Sequence, residues 1–211
     1  MRLRNVKGAK EMLEANPLVI QDINDKKGQW KDIFGNNKPI YIEIGMGKGQ
    51  FILEMARRNP DKNFIGIEKY SSVLVRAIEK CEDFTGDNLR FICMNAESIT
   101  DVFDTHEVSG IYLNFSDPWP KERHIKRRLT YRGFWERYNQ ILNPEGQVIF
   151  KTDNRPLFDF SLEEAAAAHW TLEDVSFDLH NSPQAEGNVM TEYEAKFSSL
   201  GNPIHRLIAS R

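Results

Sequence analysis

The sequence predicts an α/β fold: a mostly parallel sheet with helices on both faces. Five short apolar segments, rich in β-branched and aromatic residues, are typical of buried strands: 40–44, 63–67, 89–93, 110–114 and 146–150. Three stretches with helical periodicity lie between them: 50–58, 71–83 and 131–141. Strand and helix that alternate in this way favour a parallel sheet with right-handed crossovers.

The later part of the chain extends this pattern. Residues 155–169 predict one more helix, and segments 171–177 and 204–209 are two later strand candidates that would close the sheet edge as an antiparallel pair. The first 35 residues alternate charges and turn signals without a clear strand, so we expect an N-terminal extension packed on the domain. With 211 residues, 40% of them hydrophobic, residues 1–211 are predicted to form a single domain around one sizeable core.

Composition excludes several classes of protein. No apolar run approaches the roughly 20 residues that span a bilayer, and the first residues lack the apolar centre of a secretory signal, so we expect a cytoplasmic protein. Cys81 and Cys93 are far from any CxxC spacing, and the five histidines never fall at the spacing of helical metal ligands. The sequence therefore predicts reduced thiols and no metal.

The net charge of −3 is unevenly distributed. Residues 121–132 contain six Lys or Arg against one acid, whereas residues 156–195 contain nine acids and no Lys or Arg. Because a local basic cluster matters more for nucleic-acid binding than the overall sum, a nucleic-acid partner stays possible.

A glycine-rich turn follows the first strand, in the run Glu43-Ile44-Gly45-Met46-Gly47-Lys48-Gly49. Glycine lets the backbone turn sharply and approach a ligand closely. Glu68 ends the next strand, where an acid accepts the hydroxyl protons of a ribose, and Asn95 follows the third strand. Three strand ends thus converge on one predicted nucleoside site.

The spacing of this turn distinguishes between nucleoside ligands. A dinucleotide site has glycines in the pattern GxGxxG, and here the third position is Gln50. Glu43 would also lie close to a pyrophosphate, which is electrostatically unfavourable. A cationic ligand without phosphate fits better, and S-adenosylmethionine carries both an ammonium and a sulfonium. A dinucleotide-dependent oxidoreductase is the alternative from another class.

A second motif follows the fourth strand, in the run Asn114-Phe115-Ser116-Asp117-Pro118-Trp119-Pro120-Lys121. Two prolines around a tryptophan predict a stiff loop, and its place beside the nucleoside site suits a reaction centre. The cations that follow are suited to RNA phosphates, and Trp119 or His124 is suited to stacking on a base.

Together with a late Thr191-Glu192-Tyr193-Glu194 motif, these runs resemble the bacterial tRNA (guanine-N7)-methyltransferase family, over roughly Ile40 to Arg206. The family's motifs are Glu-x-Gly-x-Gly-x-Gly, Ser-Asp-Pro-Trp-Pro-Lys and Thr-x-[Tyr/Phe]-Glu, in this order. The resemblance implies a Rossmann-like class I methyltransferase fold, with a seven-stranded sheet that has an antiparallel edge strand. It further implies S-adenosylmethionine as cofactor, tRNA as partner, and guanine 46 of the variable loop as target.

The resemblance also assigns roles to residues. Those implied to bind the cofactor are Glu43, Gly45, Gly47, Glu68, Asn95 and Asp117, the last of them also catalytic. Those implied to bind the guanine are Lys121, Asp153, Thr191, Glu192, Tyr193 and Glu194. Those implied to bind RNA are Arg123, His124, Ile125, Lys126, Arg127 and Arg128. Many relatives have Asp where Asn95 stands, and we expect this difference to alter affinity without loss of function.

Guanine chemistry gives these residues a common purpose. The base presents N1–H and N2–H donors on one edge, and N7 and O6 acceptors on another. A pocket that leaves N7 free must hold the donor edge with carboxylates, for which Asp153 and Glu194 are the candidates, while Lys121 donates to O6. N7 is already unprotonated at neutral pH, so methylation needs orientation and no strong base.

Two further alternatives stay open. One is a base amino-group methyltransferase of the Asp-Pro-Pro-Tyr kind, which has an aromatic residue where this chain has Pro120. The other is a non-catalytic RNA-binding protein with the same fold, which the presence of Glu43, Asp117 and Lys121 disfavours. The oligomeric state is expected to be monomer or homodimer.

Overall fold

The computed structural model describes residues 6–211, and it contains a seven-stranded sheet. The strands are β1 (Ile40–Ile44), β2 (Asn63–Glu68), β3 (Leu89–Cys93), β4 (Val108–Asn114), β5 (Leu142–Thr152), β6 (Thr171–Ser176) and β7 (His205–Ser210). The α-helices are α1 (Ala9–Ala15), α2 (Trp30–Phe34), α3 (Gln50–Arg58), α4 (Ser71–Glu79), α5 (Ile99–Val102), α6 (Arg132–Ile141), α7 (Arg155–Ala167) and α8 (Glu192–Ser198). None of the helices within residues 6–211 is both long enough and apolar enough to cross a membrane.

The strand order is β3-β2-β1-β4-β5-β7-β6. The first five strands of this order pair in parallel, which confirms the predicted mostly parallel sheet. The order reverses between β1 and β4, because the chain builds outward from β1 on one side and from β4 on the other. Such a reversal opens a crevice at the carboxyl ends of the strands, where α/β proteins bind ligands.

The predicted antiparallel pairing at one edge of the sheet is confirmed. The last strand, β7, is antiparallel to both neighbours and lies between β5 and β6, so that β6 forms the edge. Along β7 the residues alternate between buried and half-buried, the two-residue period of a strand with one face against the core.

Two apolar cores cover the two faces of the sheet. Ile40, Ile42 and Ile44 of β1 point into one core, which contains the buried residues of α2, α5, α6 and α7. The other core contains buried residues of α1, α3 and α4, together with Phe64 of β2 and Phe91 of β3. Helices therefore lie on both faces, as the sequence predicts.

The N-terminal residues contact both cores. Ala9 and Leu13 of α1 pack in the core that contains α4, and Val19 forms a parallel bridge with Phe91 at the outer side of β3. Trp30 is fully buried in the other core, and its indole N–H donates to the carbonyl oxygen of Val102 at 2.9 Å. Residues 1–5 of the predicted extension lie outside the described part of the chain.

Some predicted boundaries differ from the structure. Helix α4 ends at Glu79 rather than at residue 83, because the backbone then tightens into turns in which the Cys81 N–H donates to Ile78 O at 3.0 Å. Helix α7 ends at Ala167, two residues early, and His169 follows with a φ of 61°. Strand β5 starts at Leu142, four residues before its prediction, since Leu142 pairs with Val108 across a register shift.

Candidate active site

A cleft lies at the carboxyl ends of β1 to β4, at the predicted place. Its volume is about 620 Å³, and a smaller cavity of about 190 Å³ lies beside it. The larger cavity has Glu68, Asn95, Asp117, Trp119 and Arg127 among its lining residues. The smaller cavity is lined by the glycine turn, Glu43, Asn114 and Thr191 to Tyr193. Gly45 and Phe115 line both, so the two cavities adjoin there.

The glycine turn between β1 and α3 has the backbone conformation that its sequence predicts. Gly45, Gly47 and Gly49 all have positive φ, at 73°, 60° and 72°. A Cβ at position 49 would lie 2.7 Å from the Cβ of Ala77, so this glycine is also required by close packing against α4. Residues with a Cβ adopt this conformation at a cost, which explains the repeated glycine.

Glu68 is held at the end of β2 by the same turn. One carboxylate oxygen accepts from the Gly47 N–H at 3.1 Å, and the other accepts from the Tyr70 N–H at 3.0 Å. Only 8% of the residue is exposed, and burial raises the pKa of its carboxyl group above the ordinary value. Both oxygens keep free lone pairs beside the larger cavity, so Glu68 can accept further hydrogen bonds from a ligand.

Glu43 is more deeply buried, with 2% of the residue exposed. Its Oε1 accepts from the Asn114 side-chain amide at 2.8 Å, while Oε2 has no hydrogen-bond partner within residues 6–211. Burial raises the pKa of this carboxyl group to about 8. A buried carboxyl with one unpartnered oxygen, in the wall of the smaller cavity, is suited to a cationic or hydrogen-bond-donating ligand.

Asn95 lies at the rim of the larger cavity. Its side-chain oxygen accepts from the Glu97 N–H at 3.3 Å, and its amide donates to the Glu97 carboxylate at 3.0 Å. Asn95 thus caps the short 3₁₀ helix Ala96–Ser98, and its exposed side chain stays at the cavity wall.

The loop from Phe115 to Lys121, hereafter the reaction loop, leaves β4 in an unusual conformation. Phe115 and Trp119 have φ angles of 52° and 41°, which bulky side chains rarely adopt. The Phe115 N–H donates to Lys151 O at 2.8 Å, which continues the pairing of β4 with β5 into the loop. Asp117 is exposed and lines the larger cavity.

Five of the six predicted RNA-binding residues, Arg123 to Arg127, lie in the 3₁₀ helix Glu122–Arg127, which follows the reaction loop. Lys121, Arg123 and Lys126 are exposed to solvent. The Arg127 guanidinium lies 5.0 Å above the Trp119 ring, and the His124 ring contacts the same indole edge-on at 5.6 Å. Ile125 is half-buried within this helix.

Arg128 differs from these neighbours. Its guanidinium donates to two carbonyl oxygens of the reaction loop, Pro118 O at 2.9 Å and Trp119 O at 3.3 Å. The same group lies 4.3 Å above the ring of Phe160 on α7. Arg128 is thus directed toward the protein.

The late motif lies beside the smaller cavity, at the start of α8. Thr191 caps the helix and forms a capping box with Glu194, and Glu192 pairs with Lys80, which follows α4, at 2.8 Å. The Tyr193 hydroxyl donates to the Asp153 carboxylate at 3.1 Å, and its ring lies 4.9 Å from that of Phe115. Two of the predicted guanine-binding residues, Asp153 and Tyr193, are therefore brought together.

Glu194 has a different environment from the one its predicted role requires. It is fully buried, lines neither cavity, and uses both carboxylate oxygens within the protein. The groups that donate or bind to these oxygens are Lys151 at 2.6 Å, Asn188 at 2.7 Å, His180 at 3.1 Å and the Thr191 N–H at 3.4 Å. The structure therefore does not bring this carboxylate to the place where a base would bind.

Sequence reasoning missed Asn114 and Phe115 as wall residues, although both stand in the quoted motif. It also missed the role of Lys151, whose place at the end of β5 was the only signal. No group of three His, Cys, Asp or Glu that could hold a metal ion occurs in residues 6–211.

Solved structures with similar folds define the class. One, described as an antibiotic related methyltransferase, is 20% identical, has a TM-score of 0.61 and covers 87% of this chain and 92% of its own. Another, the 16S rRNA methyltransferase KamB, is 14% identical, with a TM-score of 0.63 and coverage of 86% and 92%. The fold is that of a Rossmann-like class I methyltransferase.

Sequence comparison is more specific. A family model described as a putative methyltransferase matches residues 37–207. The tRNA (guanine-N(7)-)-methyltransferase of Lachnoclostridium phytofermentans is 63% identical over 211 residues, which cover 100% of this chain and 99% of the relative. The enzyme of the same name from Bacillus subtilis is 50% identical over 207 residues, 98% of this chain and 97% of the relative. The chain belongs to the tRNA (guanine-N7)-methyltransferase family.

Proposed function

We propose that this protein transfers a methyl group from S-adenosylmethionine to N7 of a guanine in tRNA, at guanine 46 of the variable loop. The observation that carries the proposal is the position of the larger cavity, which is lined by Glu68, Asn95 and Asp117, beside an exposed basic helix, the 3₁₀ helix Glu122–Arg127. The full-length identity to enzymes named for this reaction supports it.

The two cavities fit the two parts of this cofactor. We propose that the adenosine occupies the larger cavity, where Glu68 accepts from the ribose hydroxyls and Asn95 contacts the adenine or ribose. The amino-acid tail then extends past Gly45 into the smaller cavity, where Glu43 has an unpartnered oxygen for the ammonium. When bound, S-adenosylmethionine supplies an electrophilic methyl group on a sulfonium.

The ionisation of Glu43 fits this placement. With no ligand, burial keeps the carboxyl pKa at about 8, so the neutral form predominates at pH 7. An adjacent ammonium favours the charged form of a carboxyl group. We therefore expect the carboxyl to lose its proton as the ammonium binds.

The target base is proposed to lie between the smaller cavity and the reaction loop. Asp153, held by Tyr193, accepts from the N1–H and N2–H edge, and Lys121 donates to O6. Thr191 and Glu192 form the adjoining wall. Glu194 is proposed to act through the protein, because its oxygens are already bonded there.

The protein's contribution to catalysis is then geometric and electrostatic. Guanine N7 attacks in its plane with a lone pair that needs no deprotonation, so Asp117 orients the reactants and does not act as a strong base. Holding the reacting atoms in line can lower the barrier by about 7 to 11 kcal/mol. The stiff reaction loop is suited to this role.

The remaining proposals concern the setting. Arg123, Lys126 and Arg127 are exposed and are proposed to neutralise tRNA phosphates, and Trp119 or His124 is proposed to stack on a base. We further propose that the enzyme is cytoplasmic, needs no metal, and acts as a monomer or homodimer.

The first experiment combines purified protein, methyl-labelled S-adenosylmethionine and an unmodified tRNA transcript, with the label located by nuclease digestion and mass spectrometry. We expect label at N7 of guanine 46, and none in a transcript with adenine at that position. Label on an amino group would indicate the Asp-Pro-Pro-Tyr class instead. If none of several tRNAs incorporates label although the protein still binds tRNA, a non-catalytic RNA-binding protein would be favoured.

A further inference from the structure

Arg128 stands apart from the basic residues that precede it in sequence. The 3₁₀ helix ends at Arg127, and the backbone of Arg128 is extended, with φ −64° and ψ 129°. Its own N–H donates to Ile125 O at 3.1 Å. The guanidinium then reaches two consecutive carbonyls of the reaction loop, ten and nine residues earlier in the chain.

The reaction loop has a particular need for such a donor. Pro118 and Pro120 have no N–H, so the loop has fewer groups that could bond its own carbonyls. Trp119 has a φ of 41°, a conformation that persists only when the surroundings hold it in place. A planar guanidinium can donate to two neighbouring carbonyls at once, whereas an ammonium has no such fork.

The position of the guanidinium is fixed from its other side as well. Its face stacks on Phe160 of α7. Leu157 and Phe158 of the same helix pack in the core that also contains α2, α5 and α6. Arg128 therefore connects the core, through α7, to the backbone on the carboxyl side of Asp117. Lys121, Arg123 and Lys126 are exposed by contrast.

We propose that Arg128 is a positioning residue of the reaction: it clamps the Pro118 and Trp119 carbonyls and thereby fixes Asp117 at the cofactor cavity, and it does not bind RNA phosphate. The assignment as a positioning residue rests on the proposed methyl transfer. The clamp itself has a readout that does not depend on that activity.

Trp119 provides this readout. The chain has four tryptophans, and Trp30, Trp135 and Trp170 are at most 6% exposed. Trp119 is half-buried in the reaction loop, so acrylamide quenching of tryptophan fluorescence reports mainly on this residue. Release of the clamp should expose its indole further.

The experiment compares Arg128→Lys, Arg128→Ala and Arg123→Ala with the unmodified protein. Arg128→Lys keeps the charge and loses the fork. We expect acrylamide to quench the tryptophan fluorescence of this variant more strongly. We also expect kcat to fall by up to about 100-fold and the salt dependence of tRNA binding to stay unchanged. Arg128→Ala should show a larger increase in quenching and a larger fall in kcat, again with unchanged salt dependence. Arg123→Ala should instead raise the KM for tRNA and reduce the salt dependence, with unchanged quenching.

One control variant distinguishes local exposure of Trp119 from partial unfolding. Adding Trp119→Phe to Arg128→Lys should remove the extra quenching. Extra quenching that persists in the double variant would instead come from a buried tryptophan exposed by partial unfolding. If Arg128→Ala fails to fold, Arg128→Lys carries the test alone.

The proposal is overturned if Arg128→Lys keeps normal quenching and kcat, or if Arg128→Ala lowers the salt dependence as Arg123→Ala does. Failure of the proposed function looks different: the unmodified protein would then not methylate tRNA, while the quenching of the Arg128 variants would still show whether the clamp exists.

Discussion

The Lys151 ammonium lies 2.6 Å from the Glu194 carboxylate, and the two side chains are 3% and 0% exposed. Lys151 is at the end of β5, whereas Glu194 is in the first turn of α8. The same ammonium donates to Asn188 Oδ1 at 3.1 Å and Val189 O at 2.9 Å. The buried Lys151 ammonium thus links the segment that contains Thr191 and Tyr193 to the sheet.

We expect Glu194→Gln to destabilise the protein strongly. Removing one partner of a buried ion pair leaves the other charge uncompensated, at a cost of about 3 to 5 kcal/mol. Urea unfolding at pH 7 measures the change. The matched control is Glu54→Gln, which removes the partially exposed pair with Arg58 and should cost less than about 1 kcal/mol. Equal effects of the two variants would contradict the structural role of Glu194.

We expect Asp117→Ala to abolish turnover while the protein stays folded. Asp117 is exposed in the cavity wall, so its loss should change the melting temperature little but remove the orientation of the reactants. The measurement is transfer of labelled methyl to a tRNA transcript. Asp83→Ala, at an exposed position beyond α4, is the control and should retain activity. Near-normal turnover in the Asp117 variant would refute the placement of the reaction centre.

We expect Lys126→Ala to weaken tRNA binding and to lower its salt dependence. Each phosphate contact contributes about one unit to the slope of log Kd against log salt concentration, so one lost contact reduces the slope by about 1. Filter binding at several salt concentrations measures this slope. Lys31→Ala, an exposed residue of α2, should leave it unchanged. A slope that stays the same for Lys126→Ala would mean that the basic helix is merely solvated.

We expect Glu43 to make stability depend on pH. In the folded protein the carboxyl pKa is about 8, against 4.5 for an ordinary glutamate. Between these values the folded state holds a proton that the unfolded state has released, so the free energy of unfolding falls as pH rises from about 4.5 to 8. The slope from this group is at most about 1.4 kcal/mol per pH unit. Urea unfolding at pH 5.5 and 7.5 measures this fall in the free energy of unfolding. The fall should be smaller for Glu43→Gln than for the unmodified protein. An identical fall would show that Glu43 does not titrate in this range.

The sequence predicts the strands and the order of the motifs well because both depend on local pattern. The apolar runs at 40–44 and 89–93 match β1 and β3 to the residue. The glycines at positions 45 and 47 likewise predict a sharp turn, and both residues have positive φ in the structure. Local signals of this kind need no knowledge of distant partners.

The contacts that sequence could not supply are between distant residues. Lys151 and Glu194 are 43 residues apart, and nothing in either surrounding segment indicates that they pair. The motif places Glu194 among the predicted guanine-binding residues, whereas its burial depends on contacts with Lys151, Asn188 and His180 that the motif does not reveal. The bonds of Arg128 to backbone carbonyls likewise leave no pattern in the sequence, which places this residue with the predicted RNA-binding residues.

The wall shared by the larger cavity and the basic helix has a kinetic consequence for the proposed reaction. Arg127 and Trp119 line the larger cavity and stack on one another. A tRNA bound on the basic helix, as proposed, would therefore contact residues that line that cavity. We expect an ordered sequence, in which S-adenosylmethionine enters before the tRNA and S-adenosylhomocysteine departs after it. Product inhibition by S-adenosylhomocysteine should then be competitive with S-adenosylmethionine and noncompetitive with tRNA.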